Sequence, residues 1–274
     1  MVIIYNSSRV FNLKFFSNKC KRIGNLMVRL VRNLIKGGFY IKNKKIIVTI
    51  SLVLSCFALL IYFSNNNSVP TDHVKIAILD SGLSITHYEE VNIISSGKST
   101  SSHADIMLKA ILSKIDSNNQ KKVTIIDYPV TSYETNISEK KVLRALQMAI
   151  EKDVDIINMS FGFKKNIPEL KQLIIEAKKK DIKIIAAAGN TYGFYTNYPA
   201  KYSSVVSIGS EEKNKIGNYS AVEDVDYFLK GYIKNEKNRG TSISTAYFTG
   251  ISINNLLNGE KNIHDELKEK RDFE

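Results

Sequence analysis

Four polar residues in this chain have the side-chain types that nucleophilic catalysis requires. Ser242 lies in the segment GTSISTA, His103 in SHAD, Asp80 in VKIAILDSG and Asn190 in AAAGN. A serine attacks a carbonyl carbon when a base takes its proton, an acid orients that base, and hydrogen-bond donors stabilise the oxyanion that forms. The four residues match these four roles, provided that the fold brings them together.

Each candidate also has a simpler structural interpretation. Ser242 could be the N-cap of the apolar helix that follows it, and Asp80 and Asn190 lie beside glycines in steps typical of turns. His103 could be a surface or capping histidine, and His87 is an alternative base that follows Asp80 closely. The choice depends on the elements that position these residues.

Short apolar runs alternate with helical patterns along the part of the chain that holds the candidates. The runs typical of buried strands are 74–80, 123–130, 154–162, 182–190 and 205–210, and the helical patterns are 102–115, 138–153, 167–181 and 244–257. This alternation predicts an α/β fold with a doubly wound, mainly parallel sheet flanked by helices. The carboxyl ends of such strands meet at one edge, and here they carry Asp80, Ser160 and Asn190.

The net charge of +12 is concentrated at the N-terminus. Residues 1–64 contain 11 Lys and Arg and no Asp or Glu, whereas the rest of the chain contains 28 basic and 27 acidic residues. The folded part therefore lacks the basic surface of a nucleic-acid-binding protein, and we predict no nucleic-acid partner. Only the basic arm could bind nucleic acid, and its deletion would then remove a salt-sensitive interaction.

Residues 46–63, IIVTISLVLSCFALLIYF, form an uncharged run. A helix of this length is about 27 Å long, close to the ~30 Å hydrocarbon core of a bilayer. Three lysines flank its N-terminal end (Lys42, Lys44 and Lys45), so the positive-inside rule predicts a single-pass signal anchor at the cell membrane with the N-terminus cytoplasmic. A cleaved signal peptide is the alternative, but the run is longer than usual and SNNNSVP lacks a small-x-small cleavage site.

These patterns divide the chain into five parts. They are a basic cytoplasmic arm (1–45), a transmembrane helix (46–63), a linker (64–73), an extracytoplasmic α/β domain (74–258) and a charged tail (259–274). Either Met1 or Met27 could be the start, with the same topology. The two cysteines, Cys20 and Cys56, lie in the arm and the span, which excludes disulfides and cysteine chemistry from the α/β domain.

Four stretches of the α/β domain resemble segments of subtilisin-like serine proteases (subtilases). VKIAILDSG resembles the segment of the catalytic Asp, NMSFG the substrate-binding strand, IIAAAGN the oxyanion-Asn segment and GTSISTA the nucleophile segment. YPAKYSSVVSIGS and GNYSA are weaker matches between the last two. The chain order Asp, His, Ser is also that of subtilisin. The resemblance covers roughly residues 74–257 and implies a subtilisin-like fold.

Carried onto this sequence, the resemblance gives each candidate a role. Asp80 would orient the imidazole of His103, which would act as general base and then general acid for the nucleophile Ser242. The Asn190 amide and the Ser242 backbone N–H would bind the oxyanion. Two backbone walls would hold an extended peptide by strand addition; their residues are Ser160, Phe161, Gly162, Ala187, Ala188 and Gly189.

Two motifs depart from the family pattern. The family usually has His-Gly-Thr where this chain has HAD (103–105), and Met-Ala-x-Pro after the serine where this chain has ISTA (243–246). No His, Cys or acidic cluster has metal-ligand spacing. We predict no cofactor; the family includes calcium sites of Asp and Asn ligands, but no such set is legible here.

Two functions follow as expectations. The first is a membrane-anchored serine endopeptidase that cleaves exported peptides or proteins through an acyl-enzyme, for example a leader- or propeptide-processing protease. Its partners would be a peptide or protein substrate and, through residues 46–63, the lipid bilayer. The second, motivated by the two departures, is a catalytically inactive pseudoprotease that binds peptides at the membrane. The sequence makes no prediction of oligomeric state.

Overall fold

A computed structural model describes residues 71–88, 90–95, 103–132, 136–213, 215–234 and 238–259. The predicted arm, transmembrane helix, most of the linker and nearly all of the tail lie outside these residues. Within the described ranges, no helix is both long and apolar enough to cross a membrane.

Seven parallel strands form the main sheet, in the order β10-β8-β7-β6-β1-β3-β2, and β9 pairs antiparallel with β8. The strands of this sheet are β1 (Val74–Asp80), β2 (Asn92–Ser95), β3 (Val123–Pro129), β6 (Ile156–Met159), β7 (Lys183–Ala187), β8 (Val206–Glu212), β9 (Lys215–Ile216) and β10 (Tyr227–Lys230). A separate two-stranded ribbon consists of β4 (Thr131–Ser132) and β5 (Asn136–Ile137). The predicted mainly parallel sheet is confirmed.

Helices cover both faces of the sheet. They are α1 (His103–Leu112), α2 (Ser117–Gln120), α3 (Glu139–Glu151), α4 (Pro168–Lys179) and α5 (Thr241–Asn258). One core cluster joins α1 and α5 to one face, and a second joins α3 and α4 to the other. Two expected helix starts hold: the Ser138 hydroxyl accepts from the Lys141 N–H at the start of α3, and Pro168 occupies the first turn of α4.

Asp80, Ser160 and Asn190 lie at the carboxyl ends of neighbouring strands, as predicted. β1, β6 and β7 are neighbours in the sheet, and Asp80 ends β1. Ser160 directly follows β6 and Asn190 lies three residues beyond β7. The predicted strands 154–162 and 182–190 are longer than those observed, because the chain leaves the sheet after Met159 and after Ala187.

Candidate active site

Asp80 and His103 meet in a direct hydrogen bond although they lie on different elements. The His103 Nδ1 lies 2.7 Å from the Asp80 Oδ1, with the Asp80 side chain 4% exposed and that of His103 46% exposed. The same oxygen accepts the Ser81 N–H at 2.7 Å. Since a carboxylate only accepts, Nδ1 carries the proton, and the Nε2 of neutral His103 is left as the basic nitrogen.

The Asp80 carboxylate also controls the proton affinity of the imidazole. Burial by itself lowers the pKa of His103, but the hydrogen bond to Asp80 and the negative charge of Asp80 outweigh it, so the pKa lies above the ordinary histidine value. His103 therefore becomes a neutral base at a higher pH than an isolated histidine. The alternative base, His87, is exposed, and Asp80 is paired with His103.

Ser242 lies inside the first turn of α5 and is not its cap. The helix begins at Thr241, its N-cap is Gly240, and no side chain caps it. The Ser242 hydroxyl donates to the Ser160 backbone carbonyl at 2.7 Å. The Ser242 backbone N–H makes no hydrogen bond with the described residues. This N–H therefore points out of the positive end of a helix, where a negative oxygen is favoured.

Asn190 is oriented by the residue that precedes Ser242. Its Oδ1 accepts the Thr241 N–H at 3.0 Å and lies 3.2 Å from the Thr241 hydroxyl. A backbone N–H only donates, so the amide atom facing it must be the oxygen, and the Nδ2 faces the other way. The amide of Asn190 is thus fixed with its donor end away from Thr241.

Gly240 is required at this corner by both conformation and space. Its φ is 153°, and a Cβ there would lie 2.9 Å from the Asn190 Nδ2. Any larger residue would push the Asn190 amide out of place. The glycine of the GTS motif therefore serves the position of Asn190 as well as the entry to α5.

The two predicted substrate walls differ in what they can offer a peptide. The backbone N–H and C=O groups of Phe161 and Gly162 make no hydrogen bond with the described residues, so this wall can accept an added strand. In the second wall Ala188 N–H donates to Ile208 and its carbonyl accepts from Asn197, while both backbone groups of Gly189 are also bonded. Strand addition is therefore limited to the first wall, a correction to the expectation for both.

The predicted wall residue Ser160 is linked to α5 by hydrogen bonds. Its side chain is buried, and its hydroxyl lies 3.0 Å from the Asn158 Oδ1, while the Asn158 Nδ2 donates to Thr249 of α5 at 2.9 Å. Its carbonyl accepts the Ser242 hydroxyl. Ser160 therefore holds the Ser242 side chain through its backbone carbonyl.

One buried residue next to the site was missed by the sequence analysis. Asp127 is fully buried in β3, where it accepts the Leu83 N–H at 3.1 Å and the Ser95 hydroxyl at 2.8 Å. The signal was present, because a charged residue inside the apolar strand VTIIDYPV is unusual. Among the residues that the structure describes, no group of three His, Cys, Asp or Glu side chains could hold a metal ion.

Comparison with known proteins finds a family similarity over the segment that contains Ser242. Residues 119–253 match the family model described as the Subtilase family, Peptidase_S8. This stretch of the chain is similar to subtilases. The matched stretch includes Ser160, Asn190 and Ser242, whereas Asp80 and His103 precede it, so their pairing is known from the geometry alone.

The chain is similar to two serine proteases of Bacillus subtilis (strain 168). The minor extracellular protease Epr is 28% identical over 188 residues, which cover 64% of this chain and 28% of Epr. The major intracellular serine protease is 26% identical over 162 residues, covering 50% of this chain and 51% of that protein. The chain thus spans about half or less of the length of these relatives.

Three solved structures share the fold of the α/β domain at 18–19% identity. The prenylagaramide maturation protease PagA superposes with a TM-score of 0.57, covering 70% of this chain and 80% of PagA. A lanthipeptide protease gives 0.56, covering 66% and 73%. The protease domain of PatA, solved as a serine-to-alanine mutant, gives 0.58, covering 71% and 85%. These similarities support the subtilisin-like α/β fold.

Proposed function

We propose that this protein is a membrane-anchored serine endopeptidase that cleaves exported peptides or proteins, with Ser242 as nucleophile. The observation that carries the proposal is the arrangement of the two oxyanion donors. The Asn190 Oδ1 accepts the Thr241 N–H, which leaves the Nδ2 as a donor, and the Ser242 N–H makes no hydrogen bond with the described residues. A protein that only binds peptides has no need of donors held in this way.

The proposed reaction uses these residues in the following steps. His103 Nε2 takes the Ser242 proton as Oγ attacks the substrate carbonyl carbon, and Asp80 stabilises the imidazolium at the opposite nitrogen. The oxyanion receives hydrogen bonds from Asn190 Nδ2 and Ser242 N–H. When the tetrahedral intermediate collapses, His103 gives the proton to the leaving amine, and the acyl group remains on Ser242. Water then attacks the ester with His103 again as base, which releases the acid and restores the serine.

The Ser242 hydroxyl must turn before this reaction begins. In the described structure its proton is directed at the Ser160 carbonyl oxygen, 2.7 Å away. A hydroxyl donates one proton, so transfer to His103 requires rotation about the Cβ–Oγ bond. Loose or misdirected hydrogen bonds are common in sites without substrate and tighten when substrate binds.

The substrate backbone would lie along the wall at 161–162. The open N–H and C=O groups of Phe161 and Gly162 can pair with an extended peptide as an added strand. Such pairing fixes the peptide direction without reading its side chains. The selection of substrates must therefore come from side-chain contacts near the groove.

An exposed aromatic surface close to Asn190 in the chain supports an apolar substrate side chain. Tyr192 and Phe194 are 71% and 65% exposed. Their loop is held by backbone hydrogen bonds from Tyr192 to Tyr219 and from Gly193 to Ser220. Exposed aromatic groups on a well-anchored loop are typical of a binding surface. We expect Phe194→Ser to raise KM for peptides with little change in kcat, and the control Ile216→Ser, at an exposed apolar position on β9, to leave both constants unchanged.

The biological role we propose is limited processing of a precursor, such as removal of a leader or propeptide. Three structural neighbours support it, since they are named as a maturation protease, a lanthipeptide protease and a protease domain. Incubation of the full chain with candidate precursors tests the role: one cut at a defined site is expected, and digestion of unfolded proteins at many sites would contradict it.

The membrane anchor is a separate part of the proposal, supported by the uncharged run 46–63 and its basic N-terminal flank. In intact cells an impermeant maleimide should label Lys121→Cys, at an exposed position of the α/β domain, but not the native Cys20. Labelling of Cys20 with no labelling at position 121 would indicate the opposite topology. Labelling of neither position would indicate that the α/β domain is cytoplasmic.

The decisive test of activity is fluorophosphonate labelling of the full chain, followed by peptide cleavage. Ser242→Ala should abolish both. Ser252→Ala is a matched control, because Ser252 lies on the same helix, is buried, and its hydroxyl has no hydrogen-bond partner among the described residues. Full activity of Ser242→Ala would refute the assignment.

The alternative is an inactive pseudoprotease that binds peptides in the same groove. The hydrogen bond from Ser242 to the Ser160 carbonyl favours it, because that bond occupies the nucleophile's proton. Under this alternative the wild-type chain binds peptide and never reacts with a fluorophosphonate. A wild-type chain that reacts, with loss of reaction in Ser242→Ala, excludes it.

A further inference from the structure

The turn that follows Asp80 is attached to the first turn of α1 by three side-chain hydrogen bonds. The Ser81 hydroxyl accepts the Ala104 N–H at 3.1 Å. The Asp105 carboxylate accepts the Ser84 N–H at 3.0 Å through Oδ1 and the Ser84 hydroxyl at 2.5 Å through Oδ2. Asp105 is the third residue of the HAD motif, the feature that departs from the family pattern.

The other side of the same turn is held by the sheet. Asp127 of β3 accepts the Leu83 N–H and the hydroxyl of Ser95, the last residue of β2. The turn at 81–84 therefore lies between two carboxylates, one on α1 and one on β3. Each carboxylate bonds a backbone N–H of the turn, so movement of the turn breaks a bond on at least one side.

These contacts bear on the pair that does the acid–base chemistry. Asp80 is the last residue of a strand and His103 the first of a helix, so their 2.7 Å contact depends on the relative position of β1 and α1. The imidazole is nearly half exposed, and packing around the ring alone cannot fix it. Asp105 lies two residues after His103 in the sequence. It is hydrogen-bonded to Ser84, which lies four residues after Asp80.

We propose that Asp105 is a positioning residue that holds His103 against Asp80 by fastening the start of α1 to the turn after β1. This role gives the HAD motif a function in the proposed reaction. The kinetic part of the test below therefore rests on the proposed function. Asp105 acts through Ser84 and does not itself touch the reacting atoms.

Two simpler roles of Asp105 make different predictions. A carboxylate in the first turn of a helix stabilises the helix by about 0.3–1 kcal/mol through the helix dipole, wherever the helix lies. A carboxylate could also act on the imidazole by charge alone, beside the other two acids of this region, Asp80 and Asp127. Positioning differs from both, because it requires the hydrogen bonds to Ser84 and does not require the charge.

The test compares Asp105→Ala with Asp105→Asn in the full chain. Asparagine keeps an oxygen for the Ser84 N–H and an amide that can donate to the Ser84 hydroxyl, but it has no charge. Glu139→Ala is the control for a first-turn acid, since Glu139 opens α3 on the opposite face of the sheet and also makes an ion pair, with Lys165 at 3.0 Å.

Two readouts separate the roles. One is the pKa of the His103 imidazole, followed by NMR of histidine-labelled protein; the other is the division of any kinetic effect between kcat and KM. For Asp105→Ala we expect the His103 pKa to fall towards the ordinary histidine value and kcat to fall by about 10–10²-fold at unchanged KM, as for a misplaced catalytic group. Asp105→Asn should retain most of both properties, and Glu139→Ala should match the wild type.

The outcomes that overturn the proposal are specific. If Asp105→Ala folds and keeps the wild-type His103 pKa and kcat, Asp105 has only a role in helix stability. Equal effects of Asp105→Asn and Asp105→Ala point to charge. If Asp105→Ala does not fold, Ser84→Ala removes one of the two bonds, and a wild-type His103 pKa in that variant also overturns the proposal. Failure of the wild type to react with a fluorophosphonate concerns the proposed function alone, because the His103 pKa needs no activity.

Discussion

Asn190→Asp separates the structural role of the Asn190 side chain from its proposed catalytic role. The Oδ1 of Asn190 accepts the Thr241 N–H and faces the Thr241 hydroxyl, at 3.0 and 3.2 Å, while its Nδ2 is the proposed oxyanion donor. Aspartate keeps an oxygen towards Thr241 and puts a negative oxygen in place of the donor. Asn190→Ala removes both the acceptor and the donor. Both variants should therefore lose activity, whereas only the alanine variant should lose stability.

The catalytic loss is expected to reach at least about 10²–10³ in kcat, or ~2.7–4 kcal/mol. This range is that of removing the oxyanion asparagine of subtilisin, and we adopt it for Asn190. The aspartate variant should lie at or beyond its upper end, because a negative oxygen repels the oxyanion. KM should change little, since the donor acts on charge that develops in the transition state.

The stability difference comes from Thr241, which is 1% exposed. In Asn190→Ala its N–H loses its acceptor, which costs about 1–3 kcal/mol. In Asn190→Asp the acceptor remains, so the change should stay within about 0.5 kcal/mol, as for other exposed positions. The melting temperature of the alanine variant should therefore be the lower of the two, by roughly 2–4 °C for each kcal/mol.

The assay is peptide cleavage by the purified full chain, with calorimetric melting of the same samples. Asn118→Ala is the control, since Asn118 is exposed on the short helix α2, away from the sheet edge that holds the site. A folded Asn190→Asp with kcat within about threefold of the wild type would refute the oxyanion role, which predicts a loss of at least about 10²-fold. Equal melting temperatures of the alanine and aspartate variants would refute the role of Asn190 as acceptor for Thr241.

Three further predictions concern the surroundings of the site. Asp80→Asn should lower kcat by about 10⁴-fold and, because Asp80 raises the pKa of His103, should move the acid limb of the kcat/KM profile to lower pH. Burial raises the pKa of Asp127 although its hydrogen bonds lower it, so the folded state holds the Asp127 proton more tightly than the unfolded chain does. The stability of the wild type should therefore fall as the pH rises from the ordinary aspartate pKa through the raised one. Over that pH range the melting temperature of Asp127→Asn should increase relative to that of the wild type. Gly240→Ala should reduce kcat by displacing the Asn190 amide and should melt at a lower temperature, because alanine is strained at a φ of 153°; a fully active Gly240→Ala would show that the amide can move aside without loss.

Nine elements of the α/β domain were predictable because each has a strong local signal; they are β1, β3, β6, β7, β8, α1, α3, α4 and α5. Apolar runs with no helical spacing indicated strands that are buried on both faces, and Pro168 and Ser138 marked the first turns of α4 and α3. The short pieces β2, β4, β5, β9 and β10 were not predicted. Their pairing depends on neighbours distant in sequence, and a run of about two to four residues carries too little periodicity to show it.

The sequence by itself determined which residues could react and the order in which they occur. Asp80, His103, Asn190 and Ser242 stand in motifs whose residue types fit nucleophilic catalysis, and the alternation of strands and helices placed three of the strand ends at one edge. Only the tertiary structure decided which nitrogen of His103 meets Asp80, which way the Asn190 amide faces, and which wall has open backbone groups. The first two properties depend on hydrogen bonds between residues 23 and 51 positions apart. Directional bonds of this kind are fixed by packing, and neither residue type nor spacing encodes their geometry.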